Sequence, residues 1–306
     1  MKKIIILLSA ALVFSAAVSV TAKTIASFQN KQYMIGPDIQ FSPDGKMISF
    51  TAKDGKQYYG PAYIFTGSSS AGSFRKSFKD AVSVYIWKSP DEIIYTTTEK
   101  DSVTVKSGNP SKGQSKTIYT RKLNMTGSGY ARGYEKYNIK AIAPSGDTMI
   151  VEKDEGQCAM VSLPSGNETT LTEFSIPYSG NPESTVKFSG DSKRLLLFDG
   201  KNRIYTLYDV SKQGLKKIKE IKSINGVTPG SDYILNNEGS QIAFTEEKCK
   251  GGCYHVVYIY NIKNGSLSQN ITIKSGQILR VAFDRDFSKA VVNDMHRRIN
   301  LFMLKK

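Results

Sequence analysis

Side chains that could do chemistry are sparse, and the most distinctive are Cys249 and Cys253, separated by Lys-Gly-Gly, with His255 two residues further on. Two thiols that flank a tight turn favour a disulfide joining the two sides of a hairpin, provided that the chain leaves the reducing cytosol. A soft metal site of these three residues is the alternative, but no fourth ligand accompanies them and the spacing is not that of a zinc site. We therefore expect the disulfide Cys249–Cys253, no metal and no cofactor. The third cysteine, Cys158, is expected to be a buried free thiol in a strand.

Covalent and acid–base catalysis find little support in the sequence. The chain has no G-x-S-x-G segment, and its two histidines, His255 and His296, have no neighbouring nucleophile with an acid partner. The carboxylates of Asp44 and of the Asp284-Arg285-Asp286 segment belong to turn sequences, in which Asp bonds to its own backbone rather than to calcium. We expect no catalytic residue, and we expect that the protein is not an enzyme.

The first 22 residues have the three parts of a secretory signal peptide. Lys2 and Lys3 are followed by an apolar stretch from Ile4 to Val20, and small residues lead to Ala22. An uncleaved anchor helix is the alternative, but the apolar stretch is short for a membrane span. The sequence thus predicts a signal peptide over 1–22 and a mature chain of residues 23–306, either periplasmic or secreted, with no transmembrane segment.

Composition limits the class of partner. The chain has 306 residues, is 40% hydrophobic and carries a formal net charge of +15, so it can bury a core and attracts anions. Outside the cytosol such a charge favours an acidic protein or an anionic envelope component, and we expect no nucleic acid. We expect residues 23–306 to form a single domain and the protein to be a monomer.

One sequence feature recurs along the whole chain: an apolar residue, a polar turn and a short β-branched or aromatic run. It first occurs in FSPDGKMISF, and the apolar residues that begin each copy lie 46 to 55 residues apart, at Phe41, Trp87, Ile142, Phe188, Leu235 and Phe283. Period-two alternation in segments such as YHVVYIYNI indicates strands, and several such strands follow each turn. A repeat of this length containing four strands is typical of a β-propeller blade.

The sequence therefore predicts an all-β protein, a six-bladed β-propeller with four-stranded blades. The expected blades lie near 36–80, 81–130, 131–178, 179–222, 223–273 and 274–306. The last unit offers only three strands, so residues 24–35 are expected to supply its fourth strand and to close the ring. A two-sheet sandwich is the rival architecture, but it does not explain the regular period.

The repeat FSPDGKMISF at residues 41–50 resembles the WD-repeat-like propeller repeats of the TolB family, and looser copies cover most of residues 37–306. This resemblance implies a six-bladed propeller that acts as a periplasmic platform for protein docking. We expect no α/β domain before the propeller, in contrast to TolB itself, so a TolB-specific partnership is not implied. Related propellers precede hydrolase domains in prolyl-oligopeptidase-type enzymes, but we expect no such domain here.

Two segments interrupt the regular pattern and are interpreted as loops: residues 66–79, and the polar residues 99–116, which lengthen the second unit. The first combines aromatic anchors with cations, a composition found in binding surfaces. The candidate binding residues are Phe74, Arg75, Lys76, Phe78 and Lys79. The basic run LKKIKEIK at 215–222 is interpreted as an outer strand whose lysines protect a sheet edge.

The functional hypothesis from sequence is an exported, non-enzymatic β-propeller that docks a protein or an anionic envelope component. The alternative from another class is a propeller hydrolase or lactonase with a metal or polar site in its central channel. That alternative predicts a ring of acidic or amide side chains on the innermost strands, and the starts of those strands do not suggest one. A purely structural envelope protein is a third hypothesis.

Overall fold

The computed structural model describes residues 20–21, 23–29, 33–54, 60–70, 73–127, 133–178, 183–222, 224, 227, 230, 232–249, 253–273, 278–294 and 298–304. The predicted signal peptide lies outside the described residues, apart from Val20 and Thr21. None of the described helices is long and apolar enough to cross a membrane.

The described strands include six antiparallel sheets of four strands, five of them built from consecutive strands and one completed by an N-terminal strand, and a short parallel strand is added to one sheet. Blade 1 consists of Tyr33–Phe41, Met47–Asp54, Ala62–Ser68 and Phe74–Lys76. Blade 2 consists of Tyr85–Ser89, Glu92–Glu99, Ser102–Asn109 and Gln114–Lys122. Blade 3 consists of Tyr137–Ile142, Thr148–Lys153, Cys158–Ser162 and Glu168–Leu171.

The second half of the chain repeats this order, innermost strand first. Blade 4 consists of Thr185–Phe188, Arg194–Asp199, Ile204–Ser211 and Gly214–Ile221. Blade 5 consists of Tyr233–Leu235, Gln241–Cys249, Cys253–Asn261 and Leu267–Ile273, with Val20–Thr21 parallel to its outer strand. Blade 6 consists of Ile278–Phe283, Lys289–Asp294, Arg298–Met303 and the N-terminal strand Lys23–Gln29.

Two smaller elements lie between the strands of this repeat. The connection from blade 2 to blade 3 contains a short antiparallel pair, Met125–Thr126 with Gly133–Tyr134. A single 3₁₀ turn, Asp154–Gly156, joins the second and third strands of blade 3. The outer strand Lys23–Gln29 overlaps the segment predicted to complete blade 6, although Tyr33 already begins blade 1. The role of this strand in closing the ring stays a prediction.

The recurring polar turn joins the first and second strands of a blade, and its side chains bond within the turn. Ser42 Oγ donates to Asp44 Oδ1 over 2.6 Å, and the corresponding pair of blade 4, Ser189 and Asp191, has the same distance. Four residues after the apolar residue that begins the repeat, the backbone is left-handed, with φ of 67° at Gly45. Glycine adopts this conformation without steric cost, which explains the Asp-Gly sequence of the turn.

The core is divided among the junctions between blades. Six clusters of buried hydrophobic side chains are found in the described part of the chain, and each lies between two neighbouring blades. One of them packs Ile39 and Phe50 of blade 1 against Leu301 of blade 6, so the first and last blades adjoin. Burying a side chain of this size contributes about 1.5–3 kcal/mol. The predicted all-β, six-bladed propeller is confirmed.

The interpretation of residues 99–116 as a long polar loop is wrong. Ser102–Asn109 and Gln114–Lys122 are the third and outer strands of blade 2, paired along their whole length. The additional length of this unit lies instead in the connection over residues 123–136. An outer strand is exposed on both faces, so polar residues such as Lys116 need no apolar alternation and resemble a loop in sequence.

Candidate functional site

The ring has two faces, which the direction of the strands defines. The turn face bears the turns that follow each innermost strand, such as residues 42–46 of blade 1. The loop face lies at the opposite end, where the chain enters each innermost strand from the outer strand of the preceding blade. Innermost strands of neighbouring blades contact one another from blade 3 through blades 6 and 1 to blade 2, and they surround the central channel.

Neighbouring turns are bonded together on the turn face. Ser145 N–H donates to Ser192 Oγ over 2.9 Å, which joins blades 3 and 4. Arg285 of blade 6 reaches further, because Nη1 donates to the carbonyls of Phe188 and Leu235 at 3.2 and 3.0 Å. Burial lowers the pKa of Arg285 to about 10, although the charge of Asp191 opposes the shift. Hydrogen bonds between turns therefore join several blades on this face.

Charged side chains on or directly before the innermost strands of four blades act on one another electrostatically, toward the loop face. We call the following four residues the channel cluster: Asp38 of blade 1, Lys187 of blade 4, Asp232 directly before the inner strand of blade 5, and Arg280 of blade 6. Asp232 Oδ2 accepts the backbone N–H of Val281 over 3.0 Å, and Arg280 Nε lies 4.0 Å from Asp232 Oδ1. Blades 5 and 6 are thus joined within the cluster.

The surroundings of the cluster disfavour its charges. Burial raises the pKa of Asp232, although Arg280 and Lys187 act in the opposite direction. Burial also lowers the pKa of Lys187, against the opposing charges of Asp232 and Asp38. Each shift means that the protein has replaced part of the water around a charge. The neighbouring opposite charges compensate only in part for the lost hydration.

Asp38 and Lys187 are the members of the cluster with the fewest partners. Among the described residues, the Asp38 carboxylate has no hydrogen bond and no ion pair. Asp38 is exposed. Lys187 Nζ donates to the carbonyl of Tyr233 over 2.8 Å and lies 4.8 Å from the centre of its ring. Burial raises the pKa of Asp38, while the charges of Lys187 and Arg280 lower it.

Exposed apolar side chains also lie on the loop face. Three large hydrophobic residues of the described chain are exposed, and two of them, Tyr178 and Met125, lie in connections that lead into innermost strands. Tyr178 is 95% exposed and Met125 is 59% exposed. Their connections are neighbours, from blade 3 to blade 4 and from blade 2 to blade 3. Aromatic and methionine side chains beside arginine and lysine are enriched in protein interfaces.

The five binding residues predicted from sequence do not form an exposed loop. Phe74–Lys76 is the outer strand of blade 1, where the Phe74 ring packs edge-on against Phe50 at 5.0 Å. Phe78 is buried and stacks on Tyr95 at 4.7 Å. Both aromatic rings therefore serve the core and do not project as anchors.

The three cations of the same segment lie at the surface. Arg75 Nη2 donates to the carbonyl of Ser111 over 2.8 Å, Lys76 Nζ lies 3.2 Å from the centre of the Tyr63 ring, and Lys79 is exposed. Two of these cations therefore support neighbouring strands of blades 1 and 2. Binding of a partner by this segment stays a prediction.

The residues of the alternative metal site lie on two paired strands of blade 5. Cys249 and Cys253 are directly opposite one another across their hairpin, as a disulfide requires, and the disulfide stays a prediction. His255 lies in the same strand as Cys253 and is buried, with Nε2 3.9 Å from Glu247 Oε1. His296 lies outside the described residues. No group of three or more acidic, His or Cys side chains in the described part of the chain could hold a metal ion. Cys158 is a buried free thiol in a strand, as predicted.

A second group of charges lies between blades 2 and 3. Arg121 of the outer strand of blade 2 bonds to Glu168 and Glu135, and Lys153 also bonds to Glu168. A cavity of ≈ 210 Å³ opens beside them, lined by Arg121, Glu135, Lys136, Tyr137, Lys153, Asp154 and Gln157. Arg121 and Lys153 are paired with carboxylates here, so the group joins the two blades.

Sequence reasoning missed the channel cluster. Its signal is a charge between two apolar residues of an innermost strand: Lys187 follows Val186, and Arg280 precedes Val281. Alternation places such a residue on the face of the sheet opposite to that of its apolar neighbours, which enter the core. The members come from positions up to about 240 residues apart, so only the closed ring brings them together.

Comparison with known proteins supports the fold. No family model matches the chain, and no curated protein matches it. Among solved structures, the β-propeller domain of Cps50 (Swd1) from Myceliophteria thermophila is similar, with a TM-score of 0.56 and 10% sequence identity. The match covers 93% of this chain and 100% of that chain. At this identity the similarity shows the propeller fold alone, and membership of the TolB family stays a prediction.

Proposed function

We propose that this protein is an exported, non-enzymatic binding module that docks a protein partner on its loop face. The observation that carries the proposal is the position of Tyr178, 95% exposed in a connection of that face, on the same side of the ring as the channel cluster. Exposure of a large aromatic ring to water is unfavourable, and its burial in an interface is favourable. Tyrosine is therefore a frequent contributor of binding energy in interfaces.

The architecture supports docking because the ring holds its loops in fixed positions. Each blade packs on both neighbours through its hydrophobic cluster, so the connections of the loop face project from a rigid support. Met125 adds a second apolar contact on the adjacent connection. The two side chains lie in connections of neighbouring blades, as two anchors for one partner would.

The net charge of +15 adds an electrostatic component. An acidic protein or another anionic component of the envelope would be attracted to this chain from a distance, and salt would weaken that attraction. The apolar contacts of Tyr178 and Met125 would survive moderate salt. Salt dependence therefore separates specific docking from nonspecific attraction.

The alternative, a hydrolase or lactonase with a site in the channel, draws on the two carboxylates Asp38 and Asp232, whose pKa values are raised as in general acids. Each of them also feels the opposing charge of Lys187, an arrangement that suits charge recognition as much as proton transfer. Hydrolysis of a panel of lactones and esters by the purified chain, lost in Asp232→Asn, would favour the enzyme.

The experiment that tests docking is affinity capture from envelope extract with residues 23–306 as bait, at low and at moderate salt. The double variant Tyr178→Ala/Met125→Ala removes the exposed apolar side chains of the loop face. Its matched control is Ile218→Ala, which removes the third exposed apolar side chain from the outer strand of blade 4. We expect a partner that survives moderate salt with the wild type and the control and is lost with the double variant. Recovery of the same proteins by all three baits would contradict docking on the loop face.

A further inference from the structure

Two opposite charges of the channel cluster belong to opposite blades. Asp38 lies on the innermost strand of blade 1 and Lys187 on that of blade 4, and two blades lie between them in either direction around the ring. Burial raises the pKa of Asp38 and lowers that of Lys187, and the charge of each residue opposes the shift of the other. They nevertheless form no ion pair within 4.0 Å among the described residues.

The surrounding residues hold Lys187 in place without satisfying it. An ammonium group has three donor hydrogens, and the Tyr233 carbonyl is its single hydrogen-bond acceptor among the described residues. Thr185 and Lys187 alternate with Val186 and Phe188, which are buried in the core between blades 3 and 4. The alternation fixes the direction of the Lys187 stem away from that core.

Asp38 is the complementary case on the other side of the channel. Tyr85 Oη donates to the backbone carbonyl of Asp38 over 3.2 Å, which fixes its backbone, while Gln40 Nε2 bonds to the carbonyl of Tyr85 over 2.9 Å. These bonds position the strand but leave the Asp38 carboxylate free in the channel. Unpaired charges that are partly desolvated destabilise the folded state. Charged groups with such perturbed pKa values are concentrated at functional sites.

We propose that the channel binds a zwitterionic group, with its cationic nitrogen at Asp38 and its carboxylate at Lys187. The ligand class is a molecule or peptide end that carries an ammonium or guanidinium group and a carboxylate a few ångströms apart. Such a group gives each unpaired charge an opposite partner, whereas an ion of one sign would satisfy one residue and be repelled by the other. The site goes beyond partner docking and is independent of Tyr178 and Met125.

A length series of linear ω-amino acids, from glycine to ε-aminocaproate, serves as a ruler of charge separation. Binding to residues 23–306 is measured by calorimetry, with butylamine and butyrate as probes of a single charge. We expect saturable binding with an optimum at one chain length, and binding of the amine or the acid alone at least about 10-fold weaker. Absence of saturable binding by any member, or equal binding of butylamine or butyrate, would overturn the proposal.

Variants then test which residue binds the cationic nitrogen of the ligand and which binds its carboxylate. Asp38→Asn and Lys187→Met each remove one charge with little change of size, and we expect each to weaken binding about 10-fold or more. The charge-reversed double variant, Asp38→Lys with Lys187→Asp, is expected to bind again, because a zwitterion can enter in the reverse direction. Asp91→Asn and Lys193→Met change exposed residues of the turn face and are the matched controls. Unchanged binding in both channel variants, with folding verified by circular dichroism, would contradict the assignment.

Competition identifies the source of the zwitterion. The ω-amino acid that binds best is added to the capture experiment. Release of the partner would assign the zwitterionic group to the partner's own chain, and retention would assign it to a free small molecule. Both results require the channel site. Failure of partner capture alone leaves the calorimetric result standing, so the two proposals are separately tested.

Discussion

Arg121 and Glu168 join the outer strands of two neighbouring blades, with Nη1 of the arginine 2.7 Å from Oε1 of the glutamate. The side chains are 25% and 21% exposed, and the same guanidinium also bonds to Glu135 over 3.1 Å and lies 4.5 Å above the Tyr137 ring. Outer strands are where blades diverge and where core packing is thinnest. An ion pair at this position holds blades 2 and 3 together at the rim.

The first prediction concerns this ion pair. Glu168→Gln leaves Arg121 and Lys153 short of an anionic partner, so we expect the free energy of unfolding to fall by about 1–3 kcal/mol. The exposed pair Lys217–Glu220 is the comparison, and Lys217→Met should change stability by less than about 0.5 kcal/mol. Urea unfolding of the three proteins measures both effects. Equal stability of Glu168→Gln and wild type would show that the ion pair does not hold the blades together.

The second prediction concerns the stability cost of the channel charges. The folded-state pKa of Lys187 is lowered, so the folded state holds its proton less well than the unfolded chain, and this unfavourable contribution disappears as pH rises toward the unfolded value. The folded-state pKa of Asp38 is raised, so its favourable contribution is present at low pH and lost as pH rises through the folded value. At neutral pH both charges destabilise the fold.

We therefore expect Lys187→Met and Asp38→Asn each to raise the melting temperature at neutral pH, while both weaken zwitterion binding. Differential scanning calorimetry at pH 7 measures the first effect. A native ion pair between the two residues would give the opposite sign, because removing either partner would then destabilise the protein. A lower melting temperature in both variants would therefore contradict the conclusion that the two charges destabilise the fold.

The third prediction is a pH dependence at His255. Burial lowers its pKa, although the charges of Glu247 and Asp232 raise it. The unfolded chain then binds more protons than the folded one between the folded pKa and 6.5, so stability rises with pH across that window. We expect wild type to lose more stability than His255→Gln between about pH 7 and about pH 5. Parallel curves for the two proteins would mean that the imidazole does not titrate differently on folding.

The fourth prediction tests the role of the N-terminal strand. Lys23–Gln29 pairs with Arg298–Met303, so removal of residues 23–29 exposes the edge of that strand. A chain beginning at residue 30 should lose about 3 kcal/mol or more of its stability, through lost backbone hydrogen bonds, and should aggregate. The chain beginning at residue 23 is the matched control. Equal melting temperatures would show that blade 6 is complete with three strands.

The propeller could be predicted from the sequence because its repeat is local. The turn from Ser42 to Gly45 encodes its own geometry, through a side-chain bond and a left-handed glycine, and the same chemistry recurs along the chain. The outer strands could not be recognised in the same way. Residues such as Lys116 are exposed on both sides of their sheet, so their strand lacks the alternation on which sequence reasoning depends.

The candidate site was less accessible to sequence reasoning for two physical reasons. Phe78 and Phe74 near basic residues have the composition of a binding surface, but burial depends on the neighbouring blade, which supplies Tyr95. The channel cluster depends on ring closure, which brings Asp38 beside the charges of Lys187 and Arg280. The composition of one segment indicates neither the contact of Phe78 with Tyr95 nor the approach of Asp38 to the charges of other blades.

The most direct test of docking on the loop face is photo-crosslinking in the envelope. A benzoylphenylalanine is placed at position 178 on the loop face, or at position 193 on the turn face, where Lys193 is exposed. Docking on the loop face predicts a discrete crosslinked adduct from position 178, and none from position 193. An adduct from position 193 alone would place the partner on the opposite face and contradict the proposed function.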